Sequence, residues 1–152
     1  MRSLGADVVI PFQLERNAAA GSKDYEAALG AELSRGVDVV VDYLWGLSAR
    51  AVIVSIARSV EDGHPVRFVH VGSAGGEDAI ELPGAALRSS AIQLMGSGLK
   101  SVPFDRLLDA VRQVFELAAA TSLTLPVRVM PLSEIERAWQ EPGSPRVVIS
   151  LA

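Results

Sequence analysis

Val37-Asp38-Val39-Val40-Val41-Asp42-Tyr43-Leu44 (VDVVVDYL) is the stretch on which the fold turns. Four valines fall within eight residues, and β-branched side chains suit a pleated strand better than a helix. The run is solidly apolar between Asp38 and Asp42 rather than alternating, the pattern of a strand covered on both faces in a parallel sheet. Upstream, Gly36 closes a helix expected over Gly21–Arg35. There Tyr25, Leu29 and Leu33 recur every four residues with Ala28 beside them, and the glycine can take the positive φ of a helix end. Downstream, Leu47–Val60 predicts a helix, with Ala51, Val52, Val54 and Ile56 apolar and Arg50 and Arg58 polar, terminated by Gly63 and Pro65. Val66–Val71 (VRFVHV) predicts the next strand, running into Gly72-Ser73-Ala74-Gly75-Gly76. Ala91–Met95 (AIQLM) predicts a third, running into Gly96-Ser97-Gly98.

The flanking segments extend the alternation. Val8–Ile10 predicts a brief strand stopped by Pro11. Phe104–Ala120 is an amphipathic helix behind Pro103. Its Phe104, Leu107, Leu108, Val111, Phe115 and Ala118 share one face, while Asp105, Arg106, Asp109, Arg112 and Gln113 share the other. Pro126–Met130 predicts a strand. Ser133 and Glu136 have capping-box spacing, predicting a short helix from Ser133 that carries Ile135, Ala138 and Trp139. Pro142 to Pro145 breaks it, and Arg146–Leu151 (RVVISL) is the last strand. Strands alternating with helices make an α/β fold with a largely parallel sheet, its helices placed on the faces by right-handed crossovers.

With 152 residues, 49% of them hydrophobic and 5% aromatic, the chain is expected to be one domain with an aliphatic core. A net charge of −4 and the lack of any Lys/Arg cluster argue against a nucleic-acid partner. Cysteine is absent, so disulfides, thiolate nucleophiles and cysteine zinc sites are excluded. The N-terminus reads as no signal peptide, and no apolar run is long enough to span a membrane, so a cytoplasmic protein is expected.

Ligands of open α/β sheets bind beyond the carboxyl ends of the strands. Three strand ends therefore stand out: Tyr43-Leu44, Gly72-Ser73 and Gly96-Ser97. Glycine lets a ligand approach the backbone and serine offers a hydrogen bond, although glycines after strands also simply make turns. Gly96-Ser97-Gly98-Leu99-Lys100-Ser101 is no phosphate-binding P-loop, because its lysine does not follow a glycine. His64, in a Gly-His-Pro turn, and His70, inside a strand, read as a turn residue and a strand residue with satisfied rings, and no metal site is expected. No nucleophile elbow is present. Asp38, Asp42 and Glu61-Asp62 read as solvated carboxylates without an evident partner, so no catalytic residue is assigned.

Taken in order, these pieces resemble the medium-chain dehydrogenase/reductase family. Leu4-Gly5-Ala6-Asp7-Val8-Val9-Ile10 is similar to the stretch after the second helix of that family's cofactor domain, and Gly36–Asp42 to its "G-x-DVV-x-D" strand. Val69–Ser73 and Leu94–Ser97 are similar to the next two strands. Pro131-Leu132-Ser133-Glu134 with Ala138, and Arg146–Ile149, are similar to the closing segment. The flavour is nearest to the quinone oxidoreductase and zinc-type alcohol dehydrogenase branches. The resemblance implies a partial Rossmann-like parallel sheet, the second mononucleotide half, over residues 1–125, with residues 126–152 returning toward a catalytic domain. It implies NADP or NAD as the cofactor of the intact enzyme, a quinone or alcohol/carbonyl substrate, and Tyr43, Leu44, Gly72, Ser73, Gly96 and Ser97 as the nicotinamide-side wall of the cleft.

The family's glycine fingerprint and ribose-reading residue lie on an earlier strand–helix unit without a counterpart here. Weak or no cofactor binding by this chain alone is therefore expected. Trp45 stands where the family commonly has small residues, and Arg146 where it usually has lysine. The resemblance also implies partners: a missing N-terminal half, or a homodimer through Ala91–Met95 or through the Val37–Leu44 edge, unless Val8–Ile10 covers that edge. A non-enzymatic binding or dimerisation module, or a small-molecule binder using the Gly72–Gly76 loop, are the alternatives.

Overall fold

The computed structural model describes residues 2, 5–12, 22–121, 123–141, 143 and 145–151. The chain divides into two compact units, Met1–Val102 and Pro103–Ala152.

The first unit is built from α1 (Ser22–Leu33), β1 (Val39–Asp42), α2 (Gly46–Ser59), β2 (Pro65–His70), α3 (Gly84–Arg88) and β3 (Ala91–Gly96). The three strands form one parallel sheet in the order β1-β2-β3. Their register aligns Val40 with Phe68 and Phe68 with Leu94, so the three apolar runs lie side by side and point the same way. Parallel neighbours need a crossover between them, and α2 and α3 lie in the two connections.

Packing follows from the helical and strand periods. Ala49, Ile53 and Ile56 fall at i, i+4 and i+7 of α2 and are buried. With Leu33 of α1, Val66 and Phe68 of β2 and Ala86 of α3 they form one core cluster. Val66 and Phe68 alternate with exposed Arg67, so this core covers one face of the sheet. Burying a side chain such as Phe68 contributes about 1.5–3 kcal/mol. The opposite face, with Val39 opposite Arg67 and Val41 opposite Val69, is open among the described residues, and Val41 is 55% exposed. The expectation of strands covered on both faces is thus corrected: all the packed helices serve the Val66–Phe68 side.

Several local expectations meet their outcome here. α1 ends at Leu33, and Gly36 has φ +98° with its amide bonded to the Leu33 carbonyl at 3.1 Å, while Gly21 and Leu4 lie outside the described residues. Val8–Ile10 forms no strand and does not pair with β1; Val8 and Val9 are exposed. Three apolar residues make a strand only beside a hydrogen-bonding neighbour, and β1 takes its ladder from β2. α3 was not foreseen: five residues behind Pro83 are too few to show a helical period.

The second unit contains α4 (Phe104–Thr121), β4 (Val127–Pro131), a 3-10 turn (Leu132–Glu134), α5 (Ile135–Gln140) and β5 (Arg146–Ser150). β4 and β5 pair in parallel, Val127 opposite Arg146, and Arg128 is tied to Glu141 at 2.7 Å. The Ser133–Glu136 capping box does not form. The 3-10 turn absorbs Ser133, Glu134 becomes the residue ahead of α5, and no side chain caps that end. Pro142, the expected helix breaker, lies outside the described residues. α4 is amphipathic as expected but buries none of its residues; Phe104, Leu108 and Phe115 are all exposed. No helix among the described residues is long and apolar enough to cross a membrane.

Candidate ligand site at the carboxyl ends of the strands

The parallel sheet brings the three expected strand ends to one edge. Beyond β1 and β2 the backbone stays hydrogen-bonded: the Val71 amide donates to Asp42 O at 2.7 Å, Ala74 to Tyr43 O at 2.9 Å and Gly75 to Leu44 O at 3.0 Å. Ser97 N donates to His70 O at 2.8 Å, which ties the end of β3 to that of β2. Tyr43, Leu44, Gly72, Ser73, Gly96 and Ser97 therefore sit along one edge, with Tyr43, Leu44, Gly96 and Ser97 exposed and Gly72 and Ser73 half-buried.

The glycines of this edge differ in what they require. A Cβ on Gly96 would meet nothing within 4 Å, and one on Gly72 only Tyr43 O at 3.9 Å, so the space above both backbones is open to a ligand. At Gly75 a Cβ would lie 2.8 Å from Leu44 O, so the tight passage of the 71–76 loop over the 43–45 loop needs glycine there. The open backbones suit a flat ring laid across the strand ends.

Sequence reasoning read Asp42 as a solvated carboxylate without an evident partner, and the structure corrects this. The register sets Asp42 directly opposite His70, and Nδ1 of His70 lies 3.0 Å from Oδ2 of Asp42. Asp42 is 8% exposed, and its Oδ1 also accepts from the amides of Leu44 at 3.2 Å and Trp45 at 3.1 Å. A buried carboxylate is tolerable because these donors surround it. Asp38 likewise has a partner: His64 Nε2 lies 3.1 Å from its Oδ1 and 3.1 Å from Val37 O. Each imidazole engages one of its ring nitrogens.

Trp45 completes the cluster. Its ring packs on His70 with centroids 4.3 Å apart and planes at 45°. Its backbone has φ 58° and ψ −155°, a region that favours glycine. The next residue, Gly46, begins α2 with φ +61°, and the Glu77 carboxylate occupies the place its Cβ would take. Oε2 of Glu77 accepts the Leu47 amide at 2.9 Å, supplying the helix N-terminus with the anion it favours. Glu77 follows a glycine-rich loop and has no local capping spacing to α2, so nothing in the sequence marked it. Phe12 reaches the same neighbourhood, lining a narrow crevice with Leu44, Trp45, Leu47, Gly75 and Glu77. Among the described residues no group of three or more His, Asp or Glu side chains could hold a metal.

No family model matches the sequence, and no curated protein matches it. Solved structures do. CurA from Vibrio vulnificus, solved in complex with NADPH, superposes with a TM-score of 0.61 at 16% identity over 99% of this chain and 44% of that one. AibC matches with a TM-score of 0.61 at 20% identity over 98% of this chain and 38% of its own. A Bacillus thuringiensis protein assigned as an NADPH:quinone reductase matches with a TM-score of 0.53 at 15% identity, over 82% of this chain and 39% of that one. The chain spans less than half the length of each. At these identities the likeness establishes a shared fold, and that fold is the one the resemblance to medium-chain dehydrogenases/reductases implied.

Proposed function

We propose that the chain is the nicotinamide-side part of an NAD(P)H-dependent oxidoreductase of the medium-chain dehydrogenase/reductase type, acting on a quinone or a carbonyl/alcohol substrate. The observation that carries this reading is the parallel order β1-β2-β3, which gathers Tyr43, Gly72, Ser73, Gly96 and Ser97 at one carboxyl edge with open backbone at Gly72 and Gly96. CurA, which shares the fold, was solved with NADPH, and this supports a reduced dinucleotide as the ligand class.

The surface supports incompleteness. Parallel sheets are ordinarily buried on both faces, yet Val39, Val41 and Met95 are exposed here and β1 has no second strand neighbour among the described residues. An exposed apolar strand edge invites pairing. In this reading a glycine-fingerprint half continues the sheet beyond β1, and a second copy pairs along β3. Saturation-transfer NMR on the chain with millimolar NADPH tests the assignment. The nicotinamide protons are expected to receive more transfer from the protein than the adenine protons. Stronger transfer to adenine would overturn the reading.

A further inference from the structure

The two histidines have nearly equal side-chain exposure, 32% at His64 and 33% at His70, but opposite ring nitrogens are engaged. His64 commits Nε2 to Val37 O and Asp38. His70 commits Nδ1 to Asp42, and its Nε2 has no hydrogen-bond partner among the described residues. Asp42 is held by the Leu44 and Trp45 amides, and Trp45 lies against the imidazole. An ionised carboxylate only accepts, so it fixes the ring proton on Nδ1 and leaves the Nε2 lone pair as a base. The sheet register sets this pair at the ends of β1 and β2, the edge where Tyr43 and Gly72 lie.

We propose that Asp42 and His70 form an acid–base pair that transfers the proton of a carbonyl or alcohol oxygen at this edge. His70 is the group that meets the substrate oxygen, and Asp42 is a positioning residue. The substrate class rests on the oxidoreductase reading; the pairing does not. In the reductive direction the carbonyl carbon gains a hydride, with reduced nicotinamide as the donor that becomes oxidised. The C=O π pair moves onto oxygen and takes the proton from Nε2. The alcohol forms, His70 is left neutral, and solvent returns the proton to the partly exposed ring. Oxidation of an alcohol runs the same transfers backward, with neutral Nε2 accepting the hydroxyl proton.

Carbethoxylation by diethyl pyrocarbonate, which attacks unprotonated imidazole nitrogen, reads this directly on the full chain without cofactor. His70 is expected to be carbethoxylated at Nε2 about tenfold faster than His64 is at its own Nε2, because only His70 leaves that nitrogen unengaged. In Asp42→Asn the amide oxygen still accepts from the Leu44 and Trp45 amides, while its NH2 faces Nδ1. The ring proton should then move to Nε2, seen as an exchange of the two imidazole ¹⁵N shifts, and the rate at His70 should fall about tenfold by the same tautomer logic. Equal rates at His64 and His70 in the unaltered chain, or a proton found on its Nε2, would overturn the proposal without any variant having to fold. Saturation transfer stronger to adenine than to nicotinamide would leave both readouts as they are and count against the oxidoreductase reading alone.

Discussion

Replacing Trp45 separately by glycine and by alanine isolates the strain in the loop after β1. Both variants lose the indole and its contact with His70, so their difference reports only the Cβ at φ 58° and ψ −155°. In ordinary backbone, glycine is less stable than alanine by about 0.5–1 kcal/mol, because it loses more freedom on folding. In this region a residue with a Cβ carries about 1–3 kcal/mol of strain that glycine escapes. The second effect is the larger, so Trp45→Gly should be more stable than Trp45→Ala by about 1 kcal/mol. The amides of Leu44 and Trp45 stay bonded to Asp42 in both, which holds the backbone geometry constant. Urea unfolding followed by far-UV circular dichroism reads the difference. With a slope of about 2 kcal/mol per molar, the glycine midpoint should lie about 0.5 M higher at an unchanged slope. An alanine variant as stable as the glycine variant, or more so, would refute the argument. It would mean that the backbone relaxes once the indole is gone.

Two further expectations follow from other side chains. Glu77→Ala leaves the Leu47 amide at the start of α2 without its acceptor and should cost about 1 kcal/mol, lowering the melting temperature by about 3 °C; Glu77→Gln, which keeps an acceptor oxygen, should cost less. Burial pushes the Tyr25 phenol above its ordinary value of 10.0. The unfolded chain therefore ionises first, and this contribution to stability is intact below pH 10 and lost as the pH rises through the folded value. Stability measured from pH 9 to 12 should fall less steeply in Tyr25→Phe, and parallel curves would contradict it.

The sheet was legible because β-branched runs such as Val39–Val41 and the glycines that end strands are local signals, and β2 and β3 begin and end within a residue of their expected limits. What sequence reading missed depends on tertiary placement. Asp42 and His70 are 28 residues apart and meet only through the β1–β2 register; aligning the carboxyl ends of the two expected strands would have put them together. Ile53 belongs to the core stripe of α2 but falls in an almost wholly apolar segment, where periodicity gives little contrast. Val8–Ile10 and the Ser133–Glu136 box failed for the converse reason. A short apolar run needs a neighbouring strand and a cap needs a particular helix start, and neither is encoded by spacing alone.

A comparison of NADPH with reduced nicotinamide mononucleotide tests the central claim most directly. If the carboxyl edge of β1, β2 and β3 is one wall of a dinucleotide crevice, with the pyrophosphate and adenosine gripped elsewhere, then isothermal titration should find the two ligands weak and nearly equal. Their amide shifts should centre on Tyr43, Gly72 and Gly96. Binding of NADPH in the micromolar range, or about tenfold tighter than the mononucleotide, would show that the chain itself holds the phosphate end, and the account would fail.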